Sequence, residues 1–225
     1  MPRVGVGASS RHYEQAFPDL EGLRARARQW KKPTPNQAMG RTRRWIERHG
    51  FELIGRGIHA HVFAHPKDRR YVLKVFRHTP PAGQATLAYL KACMENVNPV
   101  MPLVSRIYLV GPVAVVAMER LVTRPAGVLT RVTHSLQKFF DRETFLLRPL
   151  RPKDIRASAR PVPRWQKESY QHSDLVALSD VLAEIYENVP RCGFDLHEEN
   201  AMFRPLGKGS SQQVITDPLT CCLLY

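Results

Sequence analysis

Asp195 and Asn200 stand in one short turn, Gly193-Phe194-Asp195-Leu196-His197-Glu198-Glu199-Asn200, and the apolar run Val214-Ile215 then delivers Asp217. These side chains are oxygen donors suited to phosphoryl transfer. One carboxylate can accept a hydroxyl proton, while an amide oxygen and a second carboxylate hold Mg²⁺ against nucleotide phosphates. By themselves Asp195 and Asn200 read blandly, as a capped turn. Chemistry becomes the better reading because the first half of the chain carries complementary parts.

Those parts begin at Gly55-Arg56-Gly57. A glycine pair lets backbone N–H groups come close to phosphate oxygens and bond them. In isolation it is a hairpin turn. Val62 follows as a side chain suited to packing on adenine. Lys74 then lies inside the apolar run Tyr71-Val72-Leu73-Lys74-Val75-Phe76, where a lysine needs an anionic partner. That order supplies a phosphate-pairing ammonium behind a glycine lid.

The elements that must position these residues are legible as patterns. Asp19 suits the cap of a helix with Leu20, Leu23, Ala27 and Trp30 on one face and arginines on the other. Thr34 and Pro35 predict the N-cap and first position of a second helix, with Met39, Thr42, Trp45 and Ile46 inward and Gly50 at its end. From Phe51 to Phe76 the texture predicts strand, glycine turn, strand, turn, strand. Residues 83–95 read as a helix with Leu87, Leu90 and Met94 sharing a face. Ile107–Val110 and Val113–Met118 read as a hairpin about Gly111-Pro112. A helix around Leu136, Phe139 and Phe140 and an exposed connection over 148–164 follow. Ser173 is expected to cap a helix with Leu175, Leu178, Leu182, Ile185 and Val189 at helical spacing, stopped by Pro190.

The 225 residues suffice for one substantial core or two small lobes. Lys plus Arg is 34 against 20 for Asp plus Glu, a formal net charge of +14, which favours polyanionic partners: nucleic acid, acidic proteins or nucleotide. Ordinary solubility is the plain alternative. Cys93, Cys192, Cys221 and Cys222 lack metal-type spacing and read as reduced thiols. His59, His61 and His65 are spaced loosely like metal ligands but read as parts of a turn. No apolar run has membrane-spanning length and no signal-peptide core opens the chain, so a cytoplasmic protein without membrane contact is expected.

Taken in order, Gly55-x-Gly57-x-x-Ala60-x-Val62, Val72-Leu73-Lys74, Asp195-x-x-x-x-Asn200 and Asp217 resemble the signature of the protein-kinase-like superfamily over residues 51–225. Asp195–Asn200 with Ile215-Thr216-Asp217-Pro218 is most similar to the small early serine/threonine kinases of podophages. It also resembles the catalytic loop of aminoglycoside and choline kinases. The resemblance implies an α+β, two-lobe fold. A basic helical extension would occupy 1–50, a lobe built on a five-stranded antiparallel sheet 51–121, and a reduced helical lobe 122–225. It implies ATP and Mg²⁺ as cofactors. Lys74 would pair the α/β-phosphates, Gly55 and Gly57 would cover them, and Val62, Met118, Glu119 and Leu121 would surround adenine. Asp195 would be the base, and Asn200 and Asp217 the metal ligands. The implied substrate is a Ser or Thr hydroxyl of a protein, in the host cytoplasm if the chain is phage-encoded.

The departures from that signature shape the expectation. Ala60 replaces a third glycine, and Pro218-Leu219 follows the metal Asp in place of Phe-Gly. Phe194 stands where regulated kinases carry Arg before the catalytic Asp, which argues against activation through a phosphorylated loop. His197 stands where protein kinases place Lys, as in the small-molecule kinases. The helix after Lys74 has no central Glu, only Glu95 near its end, which makes Asp217 the alternative partner for Lys74. Few residues follow Asp217, so either the fold is a minimal kinase or the substrate platform comes from 122–170 and the amino-terminal helices. Two other readings stay open: a pseudokinase that binds host protein or nucleic acid through the Arg24–Arg28 helix, and a small-molecule kinase.

Overall fold

Runs of Val, Ile, Phe and Tyr bounded by glycine and proline favour strands because branched and aromatic side chains pack well on a pleated surface. The structure, a computed structural model, describes residues 20–57, 60–79, 83–123, 172–189, 192–194, 200–207 and 210–221. The expected helix near Leu136, the 148–164 connection, Asp19 and the 195–199 segment lie outside the described residues. The protein is α+β. Its chain divides into two compact units, one formed by Met1–Thr79 and Val104–Arg120, the other by Pro80–Leu103 and Leu121–Tyr225.

In the first unit, β1 (Glu52–Arg56), β2 (Ala60–Ala64), β3 (Tyr71–Arg77), β4 (Val104–Val110) and β5 (Val113–Glu119) form one antiparallel sheet in the order β1-β2-β3-β5-β4. Gly111, at φ 58°, occupies the first central position of the two-residue β4–β5 loop, a conformation that a side chain would strain. One sheet face, with Phe63, Tyr71, Leu73, Val75, Tyr108, Val110, Val113, Val115 and Ala117, packs against two helices. These are α1 (Leu20–Ala27), which contributes Leu20 and Leu23, and α2 (Pro35–Arg48), which contributes Ala38 and Ile46. Each fully buried Leu or Ile contributes about 1.5–3 kcal/mol relative to exposure.

The expected start of α2 is present in full. Thr34 Oγ1 accepts the Gln37 N–H at 3.3 Å, and the Gln37 side chain accepts the Thr34 N–H at 3.1 Å. This reciprocal capping box satisfies two donors that the first turn leaves open. Gly50, at φ 83°, ends the helix as expected. Trp30, just past α1, lies beneath the Arg41 guanidinium of α2, 5.6 Å from the ring centroid.

The second unit contains α3 (Gln84–Glu95), α4 (His172–Asn188) and two small sheets. The strands β7 (Ala201–Gly207) and β8 (Ser210–Ile215) form a hairpin. β6 (Cys192–Phe194) pairs antiparallel with β9 (Leu219–Cys221). α3 packs against α4 and β9. Leu178, Leu182 and Ile185 of α4 are buried, as their spacing predicts. The helix begins at His172, so Ser173 belongs to its first turn and is not the cap.

The inner face of α3 also differs from the expectation. Leu87 and Leu90 are buried, but Met94 is 42% exposed, and Thr86, Tyr89 and Cys93 are buried in its place. The buried stripe is rotated toward Thr86 and Tyr89 because both hydroxyls bond the segment that carries Asp217. Among the described residues, no helix is long and apolar enough to cross a membrane.

Candidate functional site

Strand alternation puts Lys74 on the opposite sheet face from its neighbours Leu73 and Val75, which pack toward α1 and α2. The cross-strand register sets Gly55 opposite Val62, Val62 opposite Lys74, and Lys74 opposite Val116. Two residues back along β3, Val72 is opposite Met118 on the same face. Gly55, Val62, Lys74 and Met118 therefore share the face turned away from the helical layer. Their expected roles need that arrangement. Lys74 and Val62 are half-buried, and Met118 is buried.

The glycine segment is built differently from the expectation. Gly55 lies inside β1, beside an irregularity between Leu53 and Gly55, and not in the turn. A Cβ placed on Gly55 would meet Val62 Cβ at 3.5 Å, an ordinary contact. The Gly57 N–H donates to the Ala60 carbonyl at 2.8 Å and closes the turn. That amide is thus committed to the hairpin. Residues 58 and 59, at its tip, lie outside the described residues.

The histidines of this region have local roles. His65 Nδ1 accepts the N–H groups of Asp68 at 2.8 Å and Lys67 at 3.2 Å, which organises the β2–β3 turn. His61 has its imidazole pKa lowered by burial and by the nearby Arg56 and Arg43 charges. Asp68 accepts the Arg70 N–H and guanidinium, and these bonds hold its pKa at about 2.

Met118 and Glu119 end β5 in the first unit, and Leu121 opens the stretch that belongs to the second. Glu119 ends β5 opposite Tyr71, the Arg120 N–H donates to the Arg70 carbonyl at 2.7 Å, and the second unit resumes at Leu121.

Asn200 and Asp217 belong to the open end of the β7–β8 hairpin. Ala201 pairs with Ile215, so the next residues outward are Asn200 and Thr216. Thr216 donates to the Asn200 carbonyl twice, from its N–H at 2.8 Å and its hydroxyl at 3.0 Å. Asp217 follows immediately. The hairpin thereby brings together two of the residues that the sequence singled out across a long separation. Its base is fastened in turn. Arg204 donates to the carbonyls of Pro99 at 2.9 Å and Met101 at 3.0 Å and to Gln212 Oε1 at 2.8 Å, and the Ile215 N–H donates to the Val100 carbonyl at 2.9 Å.

Asp217 is half-buried, and its Oδ1 accepts the Thr86 hydroxyl at 3.0 Å. Tyr89 donates to the Ile215 carbonyl at 2.7 Å. Sequence reasoning missed both α3 residues. Its attention went to the absent acidic residue, and Glu95 is exposed at the last position of the helix. A carboxylate and an amide at one hairpin end are hard oxygen donors that fit Mg²⁺, which ordinarily takes one or two protein carboxylates and completes its shell with water and phosphate. Asp195, the expected base, lies outside the described residues, as does His197. β6 ends at Phe194 directly before Asp195, and β9 begins two residues after Asp217, so the β6–β9 pairing brackets both positions along the chain. No protein-family model and no curated protein sequence matches this chain.

Proposed function

We propose that this protein is a Mg·ATP-dependent kinase of protein-kinase-like fold that transfers the γ-phosphoryl group to a Ser or Thr hydroxyl of a protein. The observation that carries the reading is the β7–β8 hairpin, at whose open end Thr216, the residue before Asp217, bonds the Asn200 carbonyl twice. Supporting it are the sheet order β1-β2-β3-β5-β4, the helix inserted between β3 and β4, and the shared face of Gly55, Val62, Lys74 and Met118.

In this reading Lys74 pairs the α/β-phosphates and Val62 and Met118 pack on adenine. Main-chain groups of Glu119 and Leu121 bond the edge of the base. Asn200 and Asp217 hold Mg²⁺, which would neutralise charge on the phosphates. Asp195 orients the acceptor hydroxyl and takes its proton, a contribution of about 10²–10⁴-fold. Most of the acceleration comes from positioning and charge neutralisation.

Mg·ATP should raise the melting temperature of the wild type and fail to raise that of Lys74→Ala or Asp217→Ala. Transfer of ³²P from ATP to protein should disappear in Asp195→Ala. Undiminished transfer by that variant would sink the proposal. Preferential labelling of an aminoglycoside or choline would move the acceptor to a small molecule.

A second reading has one structural observation in its favour: Arg24 and Arg26 of α1, Arg28 just after it, and Arg44 and Arg48 of α2 are exposed. In that reading the chain binds an acidic protein or nucleic acid and needs no transfer chemistry. Asp195→Ala would then leave biological effect intact, while charge reversal at Arg24, Arg26 and Arg28 would remove it.

A further inference from the structure

We infer that Thr86 and Tyr89 of α3 are positioning residues that fix the Asp217 carboxylate for a divalent cation, a task assigned here to two hydroxyls on a helix that has no central acidic residue. The inference rests on the kinase reading and deepens it. Thr86 and Tyr89 are three positions apart and therefore share one helix face. The Thr86 hydroxyl donates to Asp217 Oδ1 at 3.0 Å, and Thr86 is buried. The Tyr89 hydroxyl donates to the carbonyl of Ile215, two residues before Asp217, at 2.7 Å.

Two bonds at neighbouring points fix both the position and the rotation of the segment that bears the carboxylate. A single bond would leave it able to pivot. Tyr89 is fully buried, and burial raises its phenol pKa well above the ordinary value, with the nearby Cys93 and Asp217 adding to the effect. The Thr86 bond takes one of roughly four lone-pair sites on a carboxylate and sets the orientation of Asp217 through Oδ1. A hydroxyl does this without adding charge. A glutamate in the same place would repel Asp217. The other end of the segment is held independently by Thr216 on the Asn200 carbonyl, so both expected metal ligands are tied to one rigid frame.

The test uses Thr86→Val, Thr86→Ser and Tyr89→Phe in the full chain, with two readouts. The first is amide hydrogen exchange of residues 215–219 without nucleotide. It should speed up in Thr86→Val and Tyr89→Phe and stay near wild type in Thr86→Ser. The second is ATP affinity by calorimetry across a Mg²⁺ titration. Thr86→Val should need about tenfold more Mg²⁺ for half-maximal affinity, on the order of one hydrogen bond to a charged group, with Mg²⁺-independent binding unchanged. Thr86→Ser should restore the wild-type curve.

Exchange that does not change in Thr86→Val overturns the anchoring. Faster exchange with an unchanged Mg²⁺ dependence overturns the positioning role and leaves Thr86 as a structural contact. A wild type that binds no Mg·ATP overturns the kinase reading itself and the positioning role with it, a result distinguishable because the failure is in the wild type.

Discussion

Val62 on β2 stands directly across from Lys74 on β3, on the sheet face opposite the one that packs α1 and α2. This pairing lets the sheet carry a cationic group beside an apolar one without disturbing the core behind it. Lys74→Met keeps the aliphatic stem and removes the charge. It should leave the melting temperature of the free protein within a few degrees of wild type and abolish the upward shift caused by Mg·ATP. Differential scanning fluorimetry with and without nucleotide checks both halves. A full ligand shift in Lys74→Met would count against Lys74 as a phosphate contact.

Thr42 offers a test on the other face. Its hydroxyl is buried in α2 and has no hydrogen-bond partner among the described residues. An orphaned buried hydroxyl costs about 1–3 kcal/mol, and valine has nearly the same shape. Thr42→Val should therefore stabilise the protein by about 1 kcal/mol in urea unfolding.

Arg204 should behave in the opposite sense. Its guanidinium joins β7 to the Pro99 and Met101 carbonyls and to Gln212. Arg204→Met keeps much of the packing but leaves those acceptors short of a donor. A loss of about 2–3 kcal/mol is expected, seen as a lower urea midpoint. If Asn200 and Asp217 serve as proposed, Mg·ATP affinity should fall as well.

The Asp68–Arg70 pair gives a pH signature. The folded-state pKa of Asp68 is depressed from 3.8 to about 2 by the Arg70 hydrogen bonds. A depressed carboxylate contributes stability above its unfolded value, and that contribution disappears as pH falls from 3.8 toward 2. Arg70 is largely exposed, so the contribution is at most about 1 kcal/mol. Asp68→Asn should be less stable than wild type at neutral pH by up to that amount. The difference should shrink to near zero at the acid end, as acid titration of urea midpoints would show.

Much of the fold was legible from local chemistry. Thr34-Pro35 announced α2 because capping and a fixed φ act within one turn, and Gly111-Pro112 announced the β4–β5 loop for the same reason. Asn200 and Asp217 were singled out because oxygen donors at that spacing suit one chemistry, and the hairpin register sets Thr216, the residue before Asp217, opposite Asn200. The inward rotation of α3 was not legible. Helical period selects a stripe of apolar residues and so favoured Met94, whereas the structure turns the helix to satisfy Thr86 and Tyr89, whose partners Asp217 and Ile215 are distant in sequence. Gly55 misled for a related reason. Glycine marks both turns and strand irregularities, and only the register with Val62 distinguishes them.

The division of the chain sets a practical limit on how the protein can be dissected. Residues 80–103 leave the first unit after β3 and return to it as β4, yet they belong to the second unit. A fragment ending near Arg120 would contain every strand of the five-stranded sheet. It would also carry α3 stripped of α4 and β9, with Tyr89, Leu90 and Cys93 newly exposed to water. Such a fragment invites aggregation. Because β3 and β4 both run antiparallel to β5, the end of β3 and the start of β4 lie at opposite ends of the sheet. A version of the first unit alone therefore needs a crossover linker long enough to traverse the sheet between Thr79 and Val104, and the protein is better cut by excision than by truncation.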